Sequence, residues 1–252
     1  GARTTVNPFA VQEIADALQG TEKIVLVKNP INPDLELWIG AIERLHKSGI
    51  KNLGAIHRGF STFRKSNYRN IPNWQIPIDL KTKYPTLPII NDPSHICGER
   101  EGIFDVSQTA LDLKFDGLMI ETHCHPDEAW SDAKQQITPE RLIEITEGLR
   151  VRKDTFEKEE YLVKLDALRK EINAIDAQLI EVLSNRMNIV ENIGRVKKQG
   201  NVAILQNTRW QEILKKVLDD GQSHGLNKDF VESVFKAIHQ ESIDHQRKIV
   251  DA

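Results

Sequence analysis

At 252 residues the chain is long enough for two domains or one large α/β domain, and its net charge of -3 is small and mixed. That balance excludes a basic nucleic-acid surface, and no stretch reads as a membrane span or a secretory signal. Two cysteines, Cys97 and Cys124, give no disulfide framework, so a reducing, cytoplasmic setting is expected.

From Thr21 to about Leu149, strand-like runs alternate with helical ones. A helix is predicted over Pro8–Leu18. The first strand, IVLVK, ends at Lys28, and Asn29-Pro30 and Asn32-Pro33 turn the chain into a helix over Leu35–Ser48. The second strand, NLGAIHR, ends at Arg58, and the third, LPIINDPSH, ends at His95. A helix after Gly102 reaches Leu113. Phe115-Asp116-Gly117 then leads into the fourth strand, GLMIE, which ends at Glu121, and a helix follows over Pro139–Leu149. Apolar strands with helices between them predict a buried parallel sheet. An eight-stranded barrel needs about twice this length.

Arg150 to Glu160, RVRKDTFEKEE, is highly charged and reads as a linker or a solvated helix start. The strand pattern vanishes beyond it. Leu165, Leu168, Ile172, Ile175, Leu179, Val182, Arg186, Ile189, Ile193 and Val196 recur at spacings of three and four, a heptad seam on one helix from about Glu157 to Gln199. Gly200-Asn201 ends it. A second helix is predicted over Asn207–Asp219 and a third over Lys228–Ile249, with Gly221 and Gly225 marking the turn between them. The expected organisation is an α/β domain over 1–150, a charged connection over 151–164 and an all-α domain over 165–252.

The first half gathers chemistry at strand ends. Parallel strands covered by helices present functional side chains at their carboxyl ends. His95, Glu121 and Asp132 suit Mn²⁺, Fe²⁺, Co²⁺ or Zn²⁺. Arg3, Lys28 and Arg58 supply fixed positive charge for carboxylate or phosphate. Any one of these alone reads more plainly as a salt-bridged strand end; their joint placement points to a phosphorylated, carboxylated small molecule beside a metal. His123-Cys124-His125 is a weaker metal candidate, because adjacent loop residues rarely aim at one ion. Cys97 has no positioned base and reads as a bystander.

At these residues the sequence resembles a family. GARTT (Gly1–Thr5), VLVKNP, HRGFSTF, DPSHICG, MIETH and SDAKQQIT occur in the order found in the later half of the barrel of 3-deoxy-D-arabino-heptulosonate 7-phosphate (DAHP) synthases. The resemblance implies later strands of a (β/α)8 barrel and a metal-assisted condensation of phosphoenolpyruvate with erythrose 4-phosphate. Arg3, Lys28 and Arg58 match phosphoenolpyruvate-binding cations, and His95, Glu121 and Asp132 match three of four metal ligands. The family's metal-binding Cys, a further basic motif and the earlier strands lie upstream of GARTT, so this chain alone is expected not to form DAHP.

In the helical half, Arg186 interrupts the apolar seam, where a charge is costly unless paired. It reads either as a register-setting polar residue or as an anion-binding group. Lys197 lies eleven residues on, about 20° around the helix. Arg209 follows on the second helix, and the apolar stripe of the third continues through Ser242 and Gln246. Together they describe a polar, cation-lined cavity in a bundle. Arg169 lies about 26 Å from Arg186 along the helix, too far to share one small ligand within one chain. A second subunit would have to supply it.

These positions, with LRKEINAIDAQLIEVLSNR, resemble the all-helical chorismate mutases, three-helix domains intertwined as homodimers. The resemblance implies rearrangement of chorismate to prephenate without a cofactor, with Arg169, Arg186, Lys197, Arg209, Ser242 and Gln246 at family active-site positions. Prephenate would be product and possible inhibitor. Gln206 and Trp210 stand where the family usually has acidic residues. A competing expectation is a chorismate- or prephenate-sensing dimerisation module with little catalysis.

Overall fold

The computed structural model describes residues 1–62 and 66–251; Phe63, the last residue of the HRGFSTF motif, lies outside them. The chain divides into two units, Gly1–Asp154 and Thr155–Ala252. Among the described residues, no helix is long and apolar enough to cross a membrane.

The first unit holds a parallel sheet of β1 (Val25–Lys28), β2 (Leu53–His57), β3 (Ile89–Asn91) and β4 (Gly117–Leu118), in that order. Its register pairs Val27 with Ala55, Ala55 with Ile89, and Ile90 with Gly117. The helices are α1 (Ala2–Thr5), α2 (Pro8–Leu18), α3 (Leu35–Lys47), α4 (Gln75–Lys83), α5 (Pro93–Cys97), α6 (Ile103–Asp112) and α7 (Pro139–Gly148).

Three helices begin with one device. Asn7-Pro8, Asp92-Pro93 and Thr138-Pro139 each place a side-chain acceptor at the N-cap and a proline at the first helical position. The cap satisfies a backbone N–H that lacks an intrahelical partner, and the proline has no N–H to satisfy.

Helix α4 carries little sequence signal, and the sequence reading omits it. Trp74 gives it no side-chain cap, and its apolar residues hardly segregate to one face. Pro77 looks like a breaker, but as the third helical residue it sits where an N–H would be unpaired anyway. Leu80, fully buried, fixes the helix to the core. That core packs Trp38, Ile42 and Leu45 of α3 against Val27, Ala55, Leu80 and Ile89. Each large buried side chain contributes about 1.5–3 kcal/mol. Trp38 also donates its indole N–H to the Val27 carbonyl at 3.0 Å.

The charged residues do not all end strands. Lys28 closes β1 and Arg58 follows β2 by one residue, but β3 stops at Asn91 and His95 lies on α5. Pro93 cannot donate to a ladder, and Asp92 caps the helix by accepting from the His95 N–H at 3.1 Å. Glu121 lies beyond β4, held by its N–H to Ser94 Oγ at 3.0 Å.

The second unit is α8 (Glu159–Gln199), α9 (Asn207–Ser223) and α10 (Lys228–Asp251), with α10 packed along both others. One expectation is corrected here. Gly221 is buried inside α9 rather than in a turn, because a Cβ there would stand 2.7 Å from Val231 Cγ2. Gly225, at φ 73°, makes the turn. Along α8, Gly194 lies against Gln246 and Ile249 of α10, and Arg186 of the heptad seam reaches Ser242. Val190 and Gly194 are buried there, while Ile172, Ile175, Leu179, Val182, Ile189 and Val196 are exposed.

Candidate active sites

In the first unit, a cavity of about 520 Å³ is lined by Arg3, Lys28, Arg58, Arg69, His95 and Asp132, among others. Five of these are residues the sequence singles out: Lys28 and Arg58 at the carboxyl ends of β1 and β2, Arg3 on α1, His95 on α5 and Asp132 in the loop before α7. Asp92 organises them. Its buried carboxylate accepts from Lys28 Nζ at 2.9 Å and stands 2.9 Å from His95 Nδ1. Burial pushes the Asp92 carboxyl up, but hydrogen bonds from His95 and Lys28 outweigh it and hold the group below its ordinary value.

Backbone and amide groups position the cations. Thr5 Oγ1 donates to the Lys28 carbonyl at 2.8 Å, tying α1 to the end of β1. The Arg58 N–H donates to Asn29 Oδ1 at 2.7 Å, and its Nη1 donates to Asn70 Oδ1 at 2.8 Å. Burial pulls the Arg58 guanidinium below its ordinary value, with Asp92 opposing.

His95, Glu121 and Asp132 each offer a donor atom within 4.8 Å of the others. One imidazole and two carboxylates fit a divalent first-row ion. His95 Nδ1 stands 2.9 Å from Asp92 Oδ2 and 3.6 Å from Glu121 Oε1, so a carboxylate outside the cluster holds the imidazole beside it. Glu121 Oε2 accepts from Gln135 Nε2 at 2.8 Å, and Asp132 Oδ1 accepts from Arg69 Nη1 at 2.9 Å. The Arg69 hydrogen bond holds the Asp132 carboxyl below its ordinary value.

Sequence reasoning misses Asp92, Arg69 and Gln135. The Asp-Pro pair at a helix start could have flagged Asp92. Arg69 and Gln135 come from irregular segments without periodicity. Cys97 is buried, and burial pushes its thiol up to about 12, which fits an inert residue. In the His123-Cys124-His125 stretch, His123 Nδ1 accepts from the His125 N–H at 2.9 Å, a local turn bond.

In the helical unit, Arg186 Nη1 donates to Ser242 Oγ at 2.5 Å. Burial lowers both the Arg186 guanidinium and the Lys197 ammonium from their ordinary values. Lys197 donates to the Ile204 carbonyl. Gln246 is buried; its Nε2 donates to the Ser242 carbonyl at 3.2 Å, while its Oε1 lacks a hydrogen-bond partner among the described residues. Trp210 stacks on His239, with ring centroids 3.9 Å apart. Arg209 pairs with Glu212 on an exposed face, and Arg169 is exposed far along α8. One chain therefore brings Arg186 and Ser242 together but leaves Arg169 and Arg209 outside that contact.

The two units define a class of protein: an α/β domain gathering cations beside a cluster of side chains able to hold a divalent ion, followed by a three-helix domain with Arg186, Ser242 and Gln246 where α8 meets α10. Residues 1–157 match the DAHP synthetase I family, and residues 168–247 match chorismate mutase type II. The chain belongs to the DAHP synthetase I family and carries a chorismate mutase type II domain after it. A phospho-2-dehydro-3-deoxyheptonate aldolase of Thermotoga maritima is 30% identical over 128 residues, 51% of this chain and 37% of that protein. A bifunctional chorismate mutase/prephenate dehydratase of Buchnera aphidicola is 35% identical over 82 residues, 32% of this chain and 22% of that protein. The chain thus spans well under half the length of either relative. A truncated DAHP synthase structure from Thermotoga maritima superposes with a TM-score of 0.52 at 28% identity, covering 58% of this chain and 54% of that one.

Proposed function

We propose that the chain is part of a bifunctional enzyme of aromatic amino acid biosynthesis. Residues 1–150 would bind phosphoenolpyruvate and erythrose 4-phosphate for condensation to DAHP, and residues 165–252 would rearrange chorismate to prephenate. The observation that carries the first half is the approach of His95, Glu121 and Asp132 to within 4.8 Å beside a cavity lined by Arg3, Lys28 and Arg58.

His95, Glu121 and Asp132 would hold a divalent ion of manganese, iron, cobalt or zinc. When bound, such an ion supplies Lewis-acid polarisation of an aldehyde oxygen. Arg3 and Arg58 would grip phosphate or carboxylate oxygens in bidentate fashion, and Lys28, steadied by Asp92, would act as a point charge. These groups orient the enol carbon for attack and offset the charge that develops, which is positioning and electrostatics rather than covalent chemistry.

In the helical domain, Arg186 would bind a substrate carboxylate, with Ser242 fixing its orientation. Lys197 and Gln246 would stabilise charge on the breaking ether bond. Gln246 would do so through its Nε2 N–H, the group that donates to the Ser242 carbonyl in this structure. The rearrangement needs no cofactor. A homodimer through the exposed α8 seam would supply Arg169 from the second subunit. A cytoplasmic setting fits the two free cysteines.

Chorismate disappearance by the purified chain tests the second activity. Arg186→Ala and Lys197→Ala should each lower kcat/KM by about 100-fold or more, the scale of one oriented donor. Mixed Arg169→Ala and Arg186→Ala subunits should regain part of the activity. Chorismate binding without turnover would replace the mutase reading with a sensor. For the first half, phosphoenolpyruvate binding by calorimetry should be lost in Arg58→Ala.

A further inference from the structure

Arg69 is an unassigned cation on the wall of the first cavity, and its place is built rather than incidental. Its N–H donates to the Cys97 carbonyl at 3.2 Å, and the Asn70 N–H donates to the Ile96 carbonyl at 3.1 Å, which clamps this segment along α5. Asn70 Nδ2 also donates to the His95 carbonyl at 2.6 Å. The Arg69 stem lies on the bare backbone of Gly98, where a Cβ would come within 2.5 Å of Arg69 Cβ. The glycine that ends α5 therefore makes room for this side chain.

At its far end, Arg69 Nη1 bridges two acceptors, Asp132 Oδ1 and Gln135 Oε1, each at 2.9 Å. Gln135 is fully buried, and its other amide atom donates to Glu121 Oε2 at 2.8 Å. One guanidinium nitrogen thus touches Asp132 directly and Glu121 through one fixed amide. As an exposed ion pair, Arg69–Asp132 adds little to stability. Its consequence is positional. The bonds run through Nη1, and a guanidinium has further N–H donors that the cavity can use.

We propose that Arg69 couples the anion site to the metal-capable cluster: an anion gripped by its remaining donors fixes Nη1, which in turn fixes the Asp132 and Glu121 carboxylates for a divalent ion. Arg69 is a positioning residue for the cluster and a ligand of the anion. Linkage makes the effect reciprocal, so a divalent ion must tighten anion binding by the same factor. The inference rests on the metal reading proposed above.

The test uses the whole chain, with Mn²⁺ counted by electron paramagnetic resonance and inorganic phosphate as the anion. Phosphate should tighten Mn²⁺ binding about tenfold, within the usual range of coupling between sites. Arg69→Gln should bring that factor close to one. Arg69→Lys keeps the charge but has a single nitrogen, so no rigid plane ties an anion-binding donor to the one that bridges Asp132 and Gln135, and it should also lose the coupling while retaining most phosphate affinity. Coupling that survives in Arg69→Lys would overturn the proposal, leaving only attraction between charges. So would Mn²⁺ binding that depends on His95 but ignores phosphate. Mn²⁺ binding unchanged in His95→Ala, or absent from the unaltered chain, would instead remove the metal reading itself, and the proposal with it.

Discussion

Lys28 Nζ and Asp92 Oδ2, sixty-four positions apart in the chain, meet at 2.9 Å between the end of β1 and the cap of α5. The contact joins a cation facing the cavity to the carboxylate that also orients His95. Asp92→Ala removes a helix cap, worth about 1 kcal/mol, and leaves a mostly buried Lys28 unpaired, worth about 3 kcal/mol. The α/β unit should lose about 4 kcal/mol, and Asp92→Asn, which keeps a capping oxygen, should lose less. Thermal melting followed by fluorescence of Trp38 and Trp74 measures the difference. Equal losses in the two variants would contradict the cap.

His57 gives the α/β unit a pH dependence. It is fully buried among Phe60, Trp74 and Phe115, with Nε2 on the Pro72 carbonyl at 2.6 Å. Burial pulls its pKa from 6.5 to about 4. Between those values the unfolded chain binds the proton and the folded chain does not. Stability therefore falls as pH drops from 6.5 toward 4, by about 3 kcal/mol from this group. Urea midpoints across that range should show a slope that flattens in His57→Gln.

Gly221→Ala sets helix propensity against packing. Alanine in a helix is better than glycine by about 1 kcal/mol. A Cβ there would stand 2.7 Å from Val231 Cγ2, and overpacking of this kind costs about 1–3 kcal/mol. The helical unit should be destabilised on balance. Adding Val231→Ala should recover part of that loss in a double-mutant cycle, because it removes the atoms that clash. Independent effects of the two changes would mean that the α9–α10 contact does not limit this site.

A divalent ion held by His95, Glu121 and Asp132 should stabilise only the unit that holds it. At one hundred times its dissociation constant the gain is about 2.7 kcal/mol. Mn²⁺ should raise the melting transition of the α/β unit, a chelator should reverse the rise, and His95→Ala should abolish it. A shift of equal size in His95→Ala would place the ion elsewhere.

Much of this was legible in the sequence because it is local. Asn7-Pro8 and Thr138-Pro139 announce their helices, and apolar runs such as VLV and GAI announce buried strands. The residues of α4 do not, because Pro77 mimics a breaker and Leu80 is set by the core rather than by periodicity. The heptad seam is a true feature of α8, but periodicity names a face without naming what covers it. Arg186 was visible as a charge on that face, yet its bond to Ser242 depends on how α10 lies along α8.

The sequence by itself determined the four strands, the larger helices apart from α4, the two-part organisation and the identities of the cations and candidate metal donors, since these follow from periodicity, capping chemistry and the residues themselves. Only the tertiary structure decided that His95 sits on a helix capped by Asp92, that Gly221 serves a close helix contact, and that Arg69 and Gln135 stand behind Asp132 and Glu121. Those facts depend on distances between residues remote in the chain, which packing sets and local pattern does not encode.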